Sequence, residues 1–117
     1  PVLRTNQGEQ ARAEANRSKA TVERDLKARV ATATADGLTR ERAELRKAIE
    51  TITRLAEPAA KATVEAAVAM EKAGKGDLLR VLTARRDLAL LESRRLDLLQ
   101  REWNLVGDLV ALTGDLP

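Results

Sequence analysis

The chain of 117 residues contains no cysteine, no histidine, no phenylalanine and no tyrosine. Without cysteine there is no disulfide framework, and without cysteine or histidine the usual zinc and copper ligands are missing. The absence of histidine also removes the commonest general base. Carboxylates are plentiful, but each sits beside basic residues in helical repeats, where solvated ion pairs are the expected reading. No nucleophile motif, phosphate loop or dinucleotide fingerprint occurs, so the expectation is a protein that is not an enzyme and binds no cofactor or metal. No 18-residue apolar run exists to span a bilayer as a helix, and Pro1-Val2-Leu3-Arg4 is not a signal peptide. The chain reads as cut from inside a larger protein.

What remains is 44% hydrophobic residues, mostly Ala, Leu and Val, with 33% charged residues around them and Trp103 as the one aromatic. That is the composition of long helices or coiled coil. A globular core of this size usually recruits several bulky aromatic side chains, whereas small Ala-rich faces suit helices lying close along their length. Proline occurs only at Pro1, Pro58 and Pro117.

Gly74-Lys75-Gly76-Asp77 is a glycine-bracketed turn between two stretches that read as nearly uninterrupted helix. The expected fold is therefore all-α: a long antiparallel hairpin with unequal arms. One arm runs from 7 to 73 and the return helix from 78 to 113, after an extended opening over 1–6 and before a tail over 114–117. At roughly 1.5 Å per residue the arms span about 100 Å and about 52 Å. In the opening, Asn6 is placed to cap the first helix, with Glu9 completing a capping box.

Along the first arm, Ala11, Ala15, Val22, Leu26, Val30 and Ala33 recur at helical spacing. A second series follows in Leu45, Ala48, Ile49, Ile52, Leu55, Ala59, Ala62, Ala66 and Met70. Two positions leave continuity open. Asp36-Gly37 is a turn signal, and Pro58 in a helix interior costs about 3 kcal/mol. If Asp36-Gly37 reverses the chain, three similar helices form a soluble three-helix-bundle interaction or scaffold domain; if not, Val22, Leu26 and Val30 have no partner within the chain and should seek one through self-association.

The return helix carries one wholly charged heptad set, Arg80, Asp87, Arg94, Arg101 and Asp108, which must face water. Two apolar sets, Ala84/Leu91/Leu98/Leu105/Leu112 and Leu82/Ala89/Leu96/Trp103/Val110, lie on the flanks of a wide face opposite it. A two-stranded coil needs one narrow seam. Two apolar edges suit a helix between neighbours, as in a bundle or the wall of a helical barrel.

The opening Pro1-Val2-Leu3-Arg4-Thr5-Asn6-Gln7-Gly8-Glu9, the mid-helix Glu57-Pro58-Ala59, the turn from Ala73 to Arg86 and the ending Leu109-Val110-Ala111-Leu112-Thr113-Gly114 together resemble the C-terminal part of the TolC-like outer-membrane efflux proteins, nearest the heavy-metal and cation efflux branch. The similarity extends over essentially the whole chain and rests on the order and spacing of short motifs. It implies a trimer whose long helices form a periplasmic α-barrel below an outer-membrane β-barrel. In that setting 1–6 is the end of a membrane strand, and 74–77 is the periplasmic tip. Gly74, Lys75, Gly76, Asp77, Leu78 and Leu79 then dock a periplasmic adaptor, or membrane fusion protein, that links the duct to an inner-membrane pump. Better-known members carry two acidic gate residues after the turn; the matching positions here are Arg80 and Thr83. Lys75, Arg80, Arg85 and Arg86 against Asp77 and Asp87 leave four minus two, or +2, at this entrance, a charge that would repel bare cations and attract anions.

Nucleic acid is not an expected partner: the net charge is only +3 and basic residues alternate with acidic ones. A membrane-surface helix would want bulky aromatics and a predominantly basic polar face, and neither is present.

Overall fold

From Val2 to Glu57 the chain has no proline and is rich in Ala, Arg, Glu, Leu and Lys, the strongest helix formers. The computed structural model describes residues 2–114, and every element among them is helical, with no strand. Helix α1 spans Val2–Thr51, a π-helical turn covers Ile52–Ala56, α2 spans Glu57–Lys72 and α3 spans Leu78–Thr113. The fold is all-α, and its second part is an antiparallel helical hairpin closed by the glycine turn. The chain divides into two units, Pro1–Gly37 and Leu38–Pro117.

Two local expectations, both in the opening segment, meet a different outcome. The chain is already helical at Val2, not extended and not the end of a strand, and Asn6 and Glu9 lie inside α1 instead of capping it. Two β-branched residues, Val2 and Thr5, do not outweigh the helix formers that follow them. Pro1 lies outside the described residues. Asp36-Gly37 does not reverse the chain, because α1 continues through both. A lone glycine costs about 1 kcal/mol in a helix, less than losing the turns on either side. Of the two positions left open, Pro58 is the one where the long arm is disturbed.

Proline lacks an N–H, and its ring collides with the carbonyl four residues back. The chain avoids this by widening the preceding turn: the Glu57 N–H reaches the Ile52 carbonyl, five residues back, and Pro58 falls in the first turn of α2. The π-turn holds one residue more than an α-turn would. It therefore moves the apolar stripe on by one position. Ala60, Val64 and Ala67 turn inward after it, while Leu55, Ala59, Ala62 and Ala66 from the expected stripe are exposed.

In the unit Pro1–Gly37, α1 is exposed nearly throughout from Asn6 onward; Val22, Leu26 and Val30 are all more than half exposed. The hydroxyls of Thr21 and Thr34 donate to the carbonyls of Arg17 and Val30, satisfying themselves within the helix.

In the unit Leu38–Pro117, buried Leu45, Ala67, Val81, Ala84, Leu98, Leu105 and Leu109 form the interface between the arms. Near the turn, Ala67, Val81 and Ala84 pack with Val64 and Val68, and the alanines let the backbones approach. On α3 the buried seam is Val81, Ala84, Leu88, Leu91, Arg95, Leu98, Glu102, Leu105 and Leu109, all buried or half-buried in alternating steps of three and four. This is a heptad seam in which two of the positions are charged.

Candidate docking site at the hairpin tip

In the last turn of α2 the Ala69, Met70 and Glu71 carbonyls find backbone donors. Gly74 adopts φ 72, a left-handed conformation that L side chains avoid. Its N–H donates to the Glu71 carbonyl at 3.0 Å, and the Lys75 N–H donates to the Met70 carbonyl at 2.9 Å. This paired five-to-two and six-to-one pattern is a Schellman termination. Gly76 folds back so closely that a Cβ would stand 3.1 Å from the Glu71 nitrogen. Tight space favours glycine there, whereas at Gly74 the backbone angle does.

Asp77 then starts α3. Its backbone is extended, and its Oδ1 accepts the Arg80 N–H at 2.7 Å, the geometry of an N-cap. The turn is thereby fixed by its own hydrogen bonds, leaving the Lys75, Leu78 and Leu79 side chains free and exposed. Two large aliphatic residues at a bare tip gain nothing from their surroundings, since Leu78 is 63% and Leu79 is 72% exposed.

Arg80 and Thr83 both lie on the exposed surface of α3 and share a shallow groove with Thr63, Asp77, Leu79, Ala84 and Asp87. Arg80 thus has two carboxylates in the same groove, while Arg86 pairs with Asp87 at 3.4 Å. The basic surplus of the tip segment comes from Lys75 and Arg85, neither of which lines that groove.

The hairpin that carries the tip is held in register by charged groups that sequence reasoning assigned to solvent. Glu57 is buried, and its Oε1 accepts from Arg95 Nε at 2.6 Å across the two arms. Further from the tip, Arg46 Nε donates to Glu102 Oε1 at 2.7 Å, and Arg42 Nε stands 3.6 Å from the same oxygen without a hydrogen bond. A buried polar pair such as Glu57–Arg95 penalises slippage, because a shift along the seam would part the two charges and leave the buried carboxylate without its partner. The signal available beforehand was Glu57 directly before Pro58, together with Arg95 and Glu102 one heptad apart between Leu88 and Leu109.

The second apolar flank of α3 is not covered. Leu82, Leu96 and Trp103 are 54%, 60% and 75% exposed, while Arg80, Asp87, Arg94, Arg101 and Asp108 face water as their heptad spacing implies. No described helix is long and apolar enough to cross a membrane, and no group of acidic side chains among the described residues could hold a metal ion. No family model, curated protein or solved structure matches the chain.

Proposed function

We propose that this chain is a helical-hairpin segment of a trimeric outer-membrane efflux duct, lying in the periplasm and docking a periplasmic adaptor through its tip. The adaptor would couple the duct to an inner-membrane pump that exports metals or organic molecules. The role is passive: the helices are conduit wall, and the turn is a mechanical coupling.

The observation that carries this reading is the exposed Leu82/Leu96/Trp103 flank on a helix whose other seam is already closed. A free-standing hairpin needs one seam, whereas a wall helix needs a neighbour on each side. The self-capped tip supports the docking role, because a turn that satisfies its own backbone can offer Lys75, Leu78 and Leu79 to a partner without reorganising. The three-helix scaffold alternative needs a reversal at Asp36-Gly37, where α1 is continuous.

The test is Lys75→Glu with Leu79→Ser in the full-length protein. Both side chains are exposed and outside the core, so folding and trimer assembly should survive while efflux and adaptor crosslinking are lost. Normal efflux in that variant would reduce the turn to a connector.

A further inference from the structure

The exposed stripe of α1 has a symmetry of its own. Lys19, Val22, Leu26, Val30 and Ala33 lie on one face, and their spacing of three, four, four and three residues reads the same in both directions from Leu26. All five are exposed, and Val22 and Leu26 border a shallow groove with Asp25 and Arg29. At 3.6 residues per turn, Glu23 and Lys27 fall on one flank of this stripe and Asp25 and Arg29 on the other. Among the described residues none of these four has an ion-pair partner within the chain.

We infer that this face pairs with the same face of a second copy in antiparallel orientation, with a two-fold axis passing beside Leu26. Antiparallel helices related by such an axis bring like flanks together. Leu26 then meets its own copy, Val22 meets Val30 of the second copy, and Lys19 lays its aliphatic stem against Ala33 of the second copy. On one flank Glu23 faces Lys27 of the second copy; on the other, Asp25 faces Arg29 of the second copy. Each pairing occurs twice, giving four attractive contacts against one approach of Lys27 to its own copy and one of Asp25 to its own copy. A parallel in-register pair brings opposite flanks together, setting Glu23 against Asp25 and Lys27 against Arg29, acid on acid and base on base, with Lys27 against Asp25 as the attractive contact. The charge pattern therefore selects both the occupant and its direction.

This pairing does not rest on the duct reading. In a duct built from parallel copies the same stripe would meet an antiparallel segment from elsewhere in the wall, so failure of the full-length trimer would leave the association of this chain unaffected.

The 117-residue chain should sediment as a dimer at about 100 μM, with a dissociation constant that rises at least tenfold between low salt and about 0.5 M salt as the flanking pairs are screened. Glu23→Lys with Asp25→Lys should dissociate it, as should Lys27→Glu with Arg29→Glu. An equimolar mixture of the two variants should restore a dimer, showing that neither is merely unfolded. Orientation is read by disulfide formation, since the chain has no cysteine of its own. In the antiparallel pair, two Ala33 sites stand about 21 Å apart along the axis, far outside the Cα separation of about 7 Å that a disulfide allows. Ala33→Cys alone should therefore stay unlinked, while a mixture of Lys19→Cys and Ala33→Cys chains should give the mixed disulfide. A monomer at every concentration, a failed rescue in the charge-swap mixture, or Ala33→Cys linking to itself would each overturn the inference.

Discussion

Replacing Arg95 with methionine should cost the hairpin more than replacing its partner Glu57 with glutamine. The Glu57 side chain is 9% exposed and that of Arg95 is 33% exposed. Removing the guanidinium strands a carboxylate that water barely reaches. Losing a hydrogen bond to a charged group costs about 1.5 to 3 kcal/mol, and an uncompensated buried charge about 3 to 5 kcal/mol. Residual access to water places Arg95→Met at about 2 to 3 kcal/mol. In Glu57→Gln the amide carbonyl can still accept from Arg95, whose exposed third can hydrate, so the cost should be about 1 kcal/mol. Glu57→Leu combined with Arg95→Met removes both charges and should be more stable than Arg95→Met alone, because nothing is left unpaired. Urea unfolding followed by far-ultraviolet circular dichroism, at one fixed chain concentration, resolves these differences. With a slope near 2 kcal/mol per molar, Arg95→Met should move the midpoint by about 1 M. A cost below about 0.5 kcal/mol for Arg95→Met, or a double variant that loses the sum of the single changes, would refute the claim that this pair is a buried register pin.

Gly37→Ala should stabilise α1 by about 1 kcal/mol, since the site is mid-helix with open space around it; destabilisation in the same urea assay would indicate a turn there. Gly76→Ala should destabilise the turn by about 1 to 3 kcal/mol, because its Cβ would press on the Glu71 backbone and Met70. Pro58→Ala should change stability by less than about 1 kcal/mol, since the proline already occupies a first-turn position; a gain near 3 kcal/mol would place it in a regular helix interior. Trp103, 75% exposed and the sole aromatic residue, should be quenched freely by iodide in the isolated chain, and full quenching in the assembled full-length protein would argue against a neighbour on that flank.

The helical hairpin was legible because its signals are local: proline is nearly absent, two glycines bracket the turn, and Arg80, Asp87, Arg94, Arg101 and Asp108 mark the outer face of α3. The seam was legible only in part. The heptad spacing of Ala84, Leu91, Leu98 and Leu105 identified one side of it, but Arg95 and Glu102 disguised the other side, Val81/Leu88/Arg95/Glu102/Leu109, and drew attention to the cleaner Leu82/Leu96/Trp103 set. Burial of Glu57 depends on which residue of the opposite arm it meets, and periodicity within one arm carries no such information. The stripe beyond Leu55 was misplaced for a related reason: a period of 3.6 assumes an unbroken α-turn, and the extra residue accommodated before Pro58 resets the count. At the tip, the capping roles of Gly74 and Asp77 followed from residue type, whereas the close approach that requires Gly76 arises only when the chain folds back on Met70 and Glu71.

The wide turn at Ile52–Ala56 also bears on how the length of this chain could change over generations. In a regular helix, loss or gain of a single codon rotates everything downstream by about 100° and turns the buried seam toward water. The π-turn already contains one surplus residue. A one-codon deletion within it, accompanied by replacement of Pro58, would leave an ordinary α-helix with the residues on both sides still in phase with α3. Single-residue length variants of this hairpin should therefore be viable there and scarce along the rest of the two arms, so the turn marks the place where the arm can lose a codon and keep its facing.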